Sequence, residues 1–547
     1  MAHGKGKQGG VSRRDFFKGT AAGLAAGAAA FATGGSQLGT PAHAAPGPSS
    51  ECEGSRDINL VNGKILTMDP HNSIVSAVAI RDGRIVQVGR SGALGPCSRT
   101  INLKGATVIP GLIDSHIHFS RGGTNEGYET RWIETAFSHA ELFHEIAERA
   151  KTVPSGPVGR SDEGGGGVIT CRGGWTPAQF FDEHGNPQGA PTRAQLTAAF
   201  PNHAVWLAQA NRANDLAAEF FATFGITTNE VGAVSSTAQA MNALLSIHTF
   251  EDMVRGTADI IQYMAANGCT GTHDTGNLRV QPDHFAVMNV LYLRSGRGLN
   301  IRQRWYRYFP TTDLPALIAY MDPMYRDAGD EYYRLIGVGE QIGTDNEANF
   351  ETNLRAVAQA GWTVQQHHAG VGQSERQVEA FRRVIDDFPA MRSMRWSLGH
   401  GDLTEAQIRT MISIDVGVTI TRGPARRFLD VELDGKRIRA GAATDGTNVS
   451  WISPWMQIYF FVTRRNQQGN LVQDGQQITR EEALRLYTMG SAYFSKEENT
   501  LGSIEVGKVA DLAVLSDDYL TVPESRIRKL RSMLTLLGGR IVLGSVG

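Results

Sequence analysis

Val108-Ile109-Pro110-Gly111-Leu112-Ile113-Asp114-Ser115-His116-Ile117-His118-Phe119 is the stretch on which the fold of this chain turns. It is apolar enough for a buried strand, and its C-terminal end carries imidazoles at i and i+2, which strand alternation sets on one face. His116 and His118 can therefore grip one metal ion together. The pair alone is a weak signal, since 15 histidines in 547 residues give roughly 0.4 His-x-His pairs by chance. Its weight comes from the rest of the chain, because three later apolar strands end in His, His and Asp, and a strand is a rigid support for metal ligands.

After residue 255 amphipathic segments alternate with short apolar stretches at 271–274, 299–305, 335–340, 362–368, 394–400, 416–420 and 442–445. With the opening strand these make eight β units separated by helical patterns. That order is the α/β class with a parallel sheet, and eight repeats predict a (β/α)8 TIM barrel. Chemistry in such barrels gathers at the C-terminal ends of the strands, where His116, His118, Glu340, His368, His400 and Asp445 fall. The barrel is expected over 109–494, with a long insertion after its first strand, about 120–255, that covers the site. The glycine run at 164–167 is not a phosphate loop, because no Lys-Ser/Thr follows it.

Residues 55–108 alternate apolar and polar positions, and Asn62-Gly63 and Asp82-Gly83 are hairpin signals. Residues 495–547 repeat that texture. Two β-rich ends enclosing a mixed middle predict one small β-sandwich built from both termini.

Composition sets outer limits. Hydrophobic residues make up 41% and the formal net charge is −2, so no basic face for nucleic acid or acidic lipid is implied. The first 45 residues differ from the rest: Ser12-Arg13-Arg14-Asp15-Phe16-Phe17-Lys18 precedes an Ala/Gly-rich run and then Ala42-His43-Ala44, an order that resembles a twin-arginine signal peptide. That resemblance implies the twin-arginine translocase as a transient partner, a mature chain beginning near Ala45 in the periplasm or outside the cell, and no stable membrane insertion. The four cysteines, Cys52, Cys97, Cys171 and Cys269, hold no Cys-x-x-Cys pair, which argues against a thiolate metal cluster. Cys52 and Cys97 flank one β-rich segment, and either a disulfide between them or free thiols fits.

Imidazoles and carboxylates without thiolates suit Zn²⁺ or another borderline divalent ion in a catalytic site. A metal of this kind activates water and polarises a carbonyl, and a neighbouring Asp can carry the proton to a leaving nitrogen. The constellation resembles the amidohydrolase superfamily from about Ile58 to Leu543. Its markers are the 110–118 run, His400, Thr444-Asp445-Gly446, and Gly502-Ser503-Ile504-Glu505-Val506-Gly507-Lys508-Val509-Ala510-Asp511-Leu512. The long insertion and Ile478-Thr479-Arg480-Glu481-Glu482-Ala483-Leu484-Arg485 resemble its YtcJ-like branch, the branch of the N-substituted formamide deformylases. The resemblance implies His116, His118, His368 and His400 as ligands to one or two divalent ions and Asp445 as ligand and proton shuttle. It departs from the branch at strand four, where Glu340 stands one residue past the usual Lys, and at strand five, where His367-His368 doubles a single His.

The function expected is metal-dependent hydrolysis of a non-peptide C–N bond, in an amide, N-substituted formamide or cyclic amide. An ester or lactone hydrolase on the same site and a non-catalytic exported binding protein are the alternatives. Trp175, Arg304 and Trp305 are expected to contribute an aromatic pocket with a cationic anchor for a small-molecule substrate. Homo-oligomer formation is left open.

Overall fold

The computed structural model describes residues 57–544, apart from 93, 96, 126, 277–281, 309–310, 344–348, 369–370 and 448–449. The twin-arginine segment and Cys52 lie outside the described residues. Cys97 is disulfide-bonded, whereas Cys171 and Cys269 are buried free thiols.

Eight parallel strands form the central sheet: β1 (Leu112–Ile117), β2 (Cys269–Asp274), β3 (Arg302–Arg307), β4 (Tyr333–Glu340), β5 (Val364–Gln366), β6 (Ser397–Gly399), β7 (Gly417–Ile420) and β8 (Ala440–Ala442), paired in that order. Side-chain and loop hydrogen bonds close the seam between β8 and β1: Ser115 Oγ donates to Ala442 O at 2.8 Å, and Asp445 N to His116 O at 2.9 Å. The result is the (β/α)8 barrel expected from the alternating pattern. The outer faces of its strands and the inner faces of its helices make one continuous core that includes Val338, Val364, Leu398, Val418 and Ile420. Each such fully buried aliphatic side chain contributes about 1.5–3 kcal/mol.

The helices start where the sequence supplies acceptors for their first N–H groups. Thr249, Thr404 and Thr479 each close a capping box, with Asp252, Gln407 and Glu482 respectively, ahead of Phe250–Ala266, Glu405–Ser413 and Arg480–Arg485.

Segments near both ends of the described residues meet in a pair of sheets. One contains Arg84–Val88, Val78–Arg81, Ile58–Val61 and Arg99–Asn102, in that order. The other runs Arg540–Gly544, Ser532–Leu537, Leu512–Leu515, Thr107–Pro110, Lys64–Leu66, Ile74–Val75. Leu512–Leu515 pairs antiparallel with Thr107–Pro110, so the C-terminal strands add directly to the N-terminal ones. Leu60, Ile80 and Val108 share their core with Leu512, Val514 and Leu534. Asp82-Gly83 turns a hairpin, with Arg81 opposite Arg84. Asn62-Gly63 instead carries the chain from one sheet to the other, and a Cβ at Gly63 would come within 2.4 Å of Leu103 Cδ1, so the Leu103 side chain would have to shift.

The insertion folds on its own small sheet, Arg212–Ala213, Ala204–Leu207, Val168–Thr170 and Tyr128–Glu129. It is fastened to the loop after β8. Glu134, fully buried, accepts from Ile452 N at 2.8 Å and Ser453 N at 3.1 Å, and Arg131 Nη1 donates to Thr447 O at 2.7 Å.

Candidate metal centre

Six side chains converge at the C-terminal mouth of the barrel: His116 from β1, His118 directly after it, Glu340 from β4, His367 after β5, His400 after β6 and Asp445 after β8. Their donor atoms form overlapping groups, His116/His118/Glu340, His116/His400/Asp445 and Glu340/His367/His400, each within 4.8 Å of one another. His118 Nε2 lies 3.5 Å from Glu340 Oε2 and 3.3 Å from Asp445 Oδ1. His116 Nε2 lies 3.6 Å from Asp445 Oδ1. Glu340 stands in two of the three groups, on both sides of the cluster.

Several features test whether these residues fit a divalent cation. The Nδ1 atoms of His116 and His118 are engaged outside the cluster, by Gln365 Oε1 at 2.7 Å and Gly276 O at 2.9 Å. As N–H donors there, they leave Nε2 as the lone-pair atom facing inward. His400 Nε2 is buried with no hydrogen-bond partner among the described residues, 3.5 Å from Glu340 Oε1. Burial and the neighbouring His116 push the His400 imidazole down to about 4, so it is a neutral donor at pH 7. Among the described residues, Glu340 and Asp445 form ion pairs with imidazoles alone. Burial opposes the ionisation of both carboxyls, yet the imidazoles, His367 against Glu340 and His116 and His118 against Asp445, hold each well below the usual carboxylate range. Two buried carboxylates amid imidazoles, with the orphaned His400 Nε2 beside Glu340, match the donor chemistry of a borderline divalent ion.

Backbone geometry serves the same cluster. His400 (φ 70°) and Asp445 (φ 55°) both occupy the left-handed region, which costs a non-glycine residue about 1–3 kcal/mol and concentrates at functional sites. Asp114, fully buried, bonds Thr444 Oγ1 at 2.6 Å and His116 N at 3.1 Å, tying the ends of β1 and β8 together. Burial pushes the Asp114 carboxyl up to about 7.

Four residues expected in the site lie elsewhere. His368 gives way to His367: Gln365 faces into the barrel toward His116, so alternation sends residue 367 inward and 368 outward, where its Nε2 meets Ser374 Oγ. His367 Nδ1 bonds Glu340 Oε1. Arg304 is no substrate anchor, because it points to the opposite end of the barrel and is clamped there by Glu497 at 2.7 Å. Trp175 is core of the insertion, with Nε1 on Cys171 O at 3.4 Å and its ring against Phe180. Trp305 packs between strand and helices, stacked on Tyr333 with ring centroids 5.9 Å apart. The supports Gln365 and Asp114 went unread in the sequence, although the His-Asp spacing of the 114–118 run offered a signal for Asp114. His273 is buried in the barrel with neither ring nitrogen hydrogen-bonded among the described residues, and burial pushes it down to about 3.

A parallel barrel whose C-terminal mouth gathers imidazoles and carboxylates is the architecture of a metal-dependent hydrolase. The profile of the amidohydrolase family matches residues 99–543. N-substituted formamide deformylase of Arthrobacter pascens is 22% identical over 88% of this chain and 98% of its own. Among solved structures, an uncharacterized metal-dependent hydrolase from Pyrococcus furiosus superposes with a TM-score of 0.54 at 18% identity, covering 85% of this chain and 100% of that one. The atrazine chlorohydrolase TrzN from Arthrobacter aurescens, complexed with zinc, gives 0.50 at 15% identity, covering 89% and 95%. The chain belongs to the amidohydrolase family.

Proposed function

We propose that this metal-dependent hydrolase cleaves a non-peptide C–N bond, in an amide, N-substituted formamide or cyclic amide. The observation that carries the reading is Asp445, a buried carboxylate within 3.3–3.6 Å of His118 and His116, in a family whose formamide deformylase relative spans nearly all of this chain. His116, His118, Glu340, His367 and His400 would hold one or two divalent ions, with zinc the candidate that the donor set suits best. The ion, when bound, lowers the pKa of water and polarises the substrate carbonyl. The chain's own residues do the rest. Asp445 takes a proton from the attacking water at Oδ1 or Oδ2 and passes it to the leaving nitrogen, which departs as a neutral amine. Gln365 and the Gly276 carbonyl hold the β1 imidazoles in one tautomer and orientation.

Leaving-group nitrogen needs that proton more than leaving-group oxygen does, which separates the amide reading from an ester or lactone hydrolase. A panel of N-formyl, N-acyl and cyclic amides, each beside its oxygen isostere, tests it. Turnover of amides is expected, with Asp445→Asn lowering it by about 10²-fold or more. Turnover confined to the esters and lactones would refute the reading.

The order of residues 12–44 supports export through the twin-arginine route, with small-molecule hydrolysis outside the cytoplasm. No helix among the described residues is long and apolar enough to cross a membrane.

A further inference from the structure

The short helix Phe119–Gly123 follows directly on His118, and Arg121 is its one residue that is not buried. The side chain stays on the site's side of the helix. Its Nε donates to Thr447 Oγ1 at 3.2 Å, and Thr447, fully buried, lies two residues beyond Asp445. The helix is pressed against that loop, since a Cβ at Gly122 would come within 2.6 Å of Thr447 Cγ2. Arg121 therefore sits against the loop that carries Asp445, with Nε engaged and the Nη1–Nη2 edge of its guanidinium turned to no acceptor among the described residues.

Neutralising partners are committed elsewhere. Glu129 is taken by Arg131 at 3.2 Å and by the backbone N–H of Arg172. Asp274 accepts from Ser120 N at 2.8 Å, and Glu340 and Asp445 face the imidazoles. Among the described residues Arg121 forms no ion pair. Burial, and then the nearby charge of Arg172, lowers its pKa, while Asp445, Glu340 and Asp274 act on it from further along the site. A half-buried guanidinium that makes no ion pair of its own leaves room for one, and a planar two-N–H edge fits one planar carboxylate.

We propose that Arg121 anchors a carboxylate on the substrate, so that the substrate class is amides that also carry a carboxylate, such as N-acyl or N-formyl amino acids. The proposal rests on the C–N hydrolase reading for its reaction and on Arg121 for its specificity.

N-formyl-L-phenylalanine and N-formylphenethylamine differ only by the carboxylate. The metal-loaded protein is expected to favour the former by about 10- to 100-fold in kcat/KM, the worth of a charged hydrogen-bonded pair, with the difference lying in KM. Arg121→Gln should bring the ratio to within about threefold of unity and Arg121→Lys should restore part of it, both at wild-type metal content. A wild-type preference for the neutral amide, or a preference that survives Arg121→Gln, overturns the assignment. Turnover of neither compound counts against C–N hydrolysis for this pair, and the anchor is then decided by titrating 3-phenylpropionate and 3-phenylpropanamide calorimetrically. A tighter-binding carboxylate whose advantage disappears in Arg121→Gln supports the anchor, and an advantage that is absent or persists refutes it.

Discussion

His367 and His368 are neighbours in the chain and opposites in space. His367 reaches Glu340 within the cluster, and His368 turns to Ser374. His367→Ala is therefore expected to lose bound metal and most turnover, whereas His368→Ala keeps its metal. Elemental analysis of the two purified variants checks this, and equal metal loss in both would contradict the placement. Why the doublet could not be resolved from sequence is visible one turn of the alternation earlier. Gln365 and Gln366 are both polar and both buried, so the apolar/polar rhythm that marks the inner face of a strand is erased just before the histidines. Gln365 faces His116 and Gln366 accepts from Ile342 N, and both faces of β5 therefore demand a hydrogen-bonding side chain. His116, His118, His400 and Asp445 were readable because each lies near or just past the C-terminal end of a strand with no adjacent residue of its own kind.

At the scale of elements, the barrel is polar at both ends. Opposite the cluster, Arg304 and Arg334 close on Glu497 at 2.7 and 3.3 Å, and Arg302 closes on Asp511 at 2.7 Å, joining the barrel to the sandwich. Burial opposes ionisation of Glu497, but Arg304 and Arg334 hold its carboxyl down at about 2. That lies below the ordinary value of about 4.3, so the stabilisation is fully present above about pH 4.5 and is lost as pH falls through about 2. Glu497→Gln should flatten this acid limb in denaturant titrations between about pH 4.5 and 2. At pH 7 it should cost about 3 kcal/mol, the scale for breaking a buried pair. An unchanged acid limb would show that the pair is not coupled to folding. The arginines of β3 were legible as strand residues, but their direction was not, because the partner Glu497 lies 193 residues away. The eight barrel strands were legible as apolar runs between amphipathic helices. The insertion's strands were not, since they are two to four residues long, too short for a period of two to register.

For the whole molecule, the barrel and the sandwich shared by the two termini followed from texture, because each half of the sandwich repeats the same alternation and neither can bury its apolar face alone. The mode of closure of the insertion did not follow, since Glu134 and Arg131 act on backbone groups of 447–453 that no local pattern marks. The proposed twin-arginine export signal belongs to this scale as well. A reporter fused behind residues 1–50 should leave the cytoplasm, and changing Arg13 and Arg14 together to Lys should retain it inside. Export unaffected by that change would remove the twin-arginine assignment.

Hydrolysis is proposed to depend on the six-residue cluster at the barrel mouth acting as a metal centre. The test is to strip the purified protein with a chelator, follow divalent-metal content and amide turnover together, and add back zinc. Turnover is expected to fall in proportion to metal removed and to return with zinc, and His116→Ala/His118→Ala is expected neither to hold the metal nor to recover. Turnover that persists in metal-free protein, or full metal occupancy in that double variant, would contradict it.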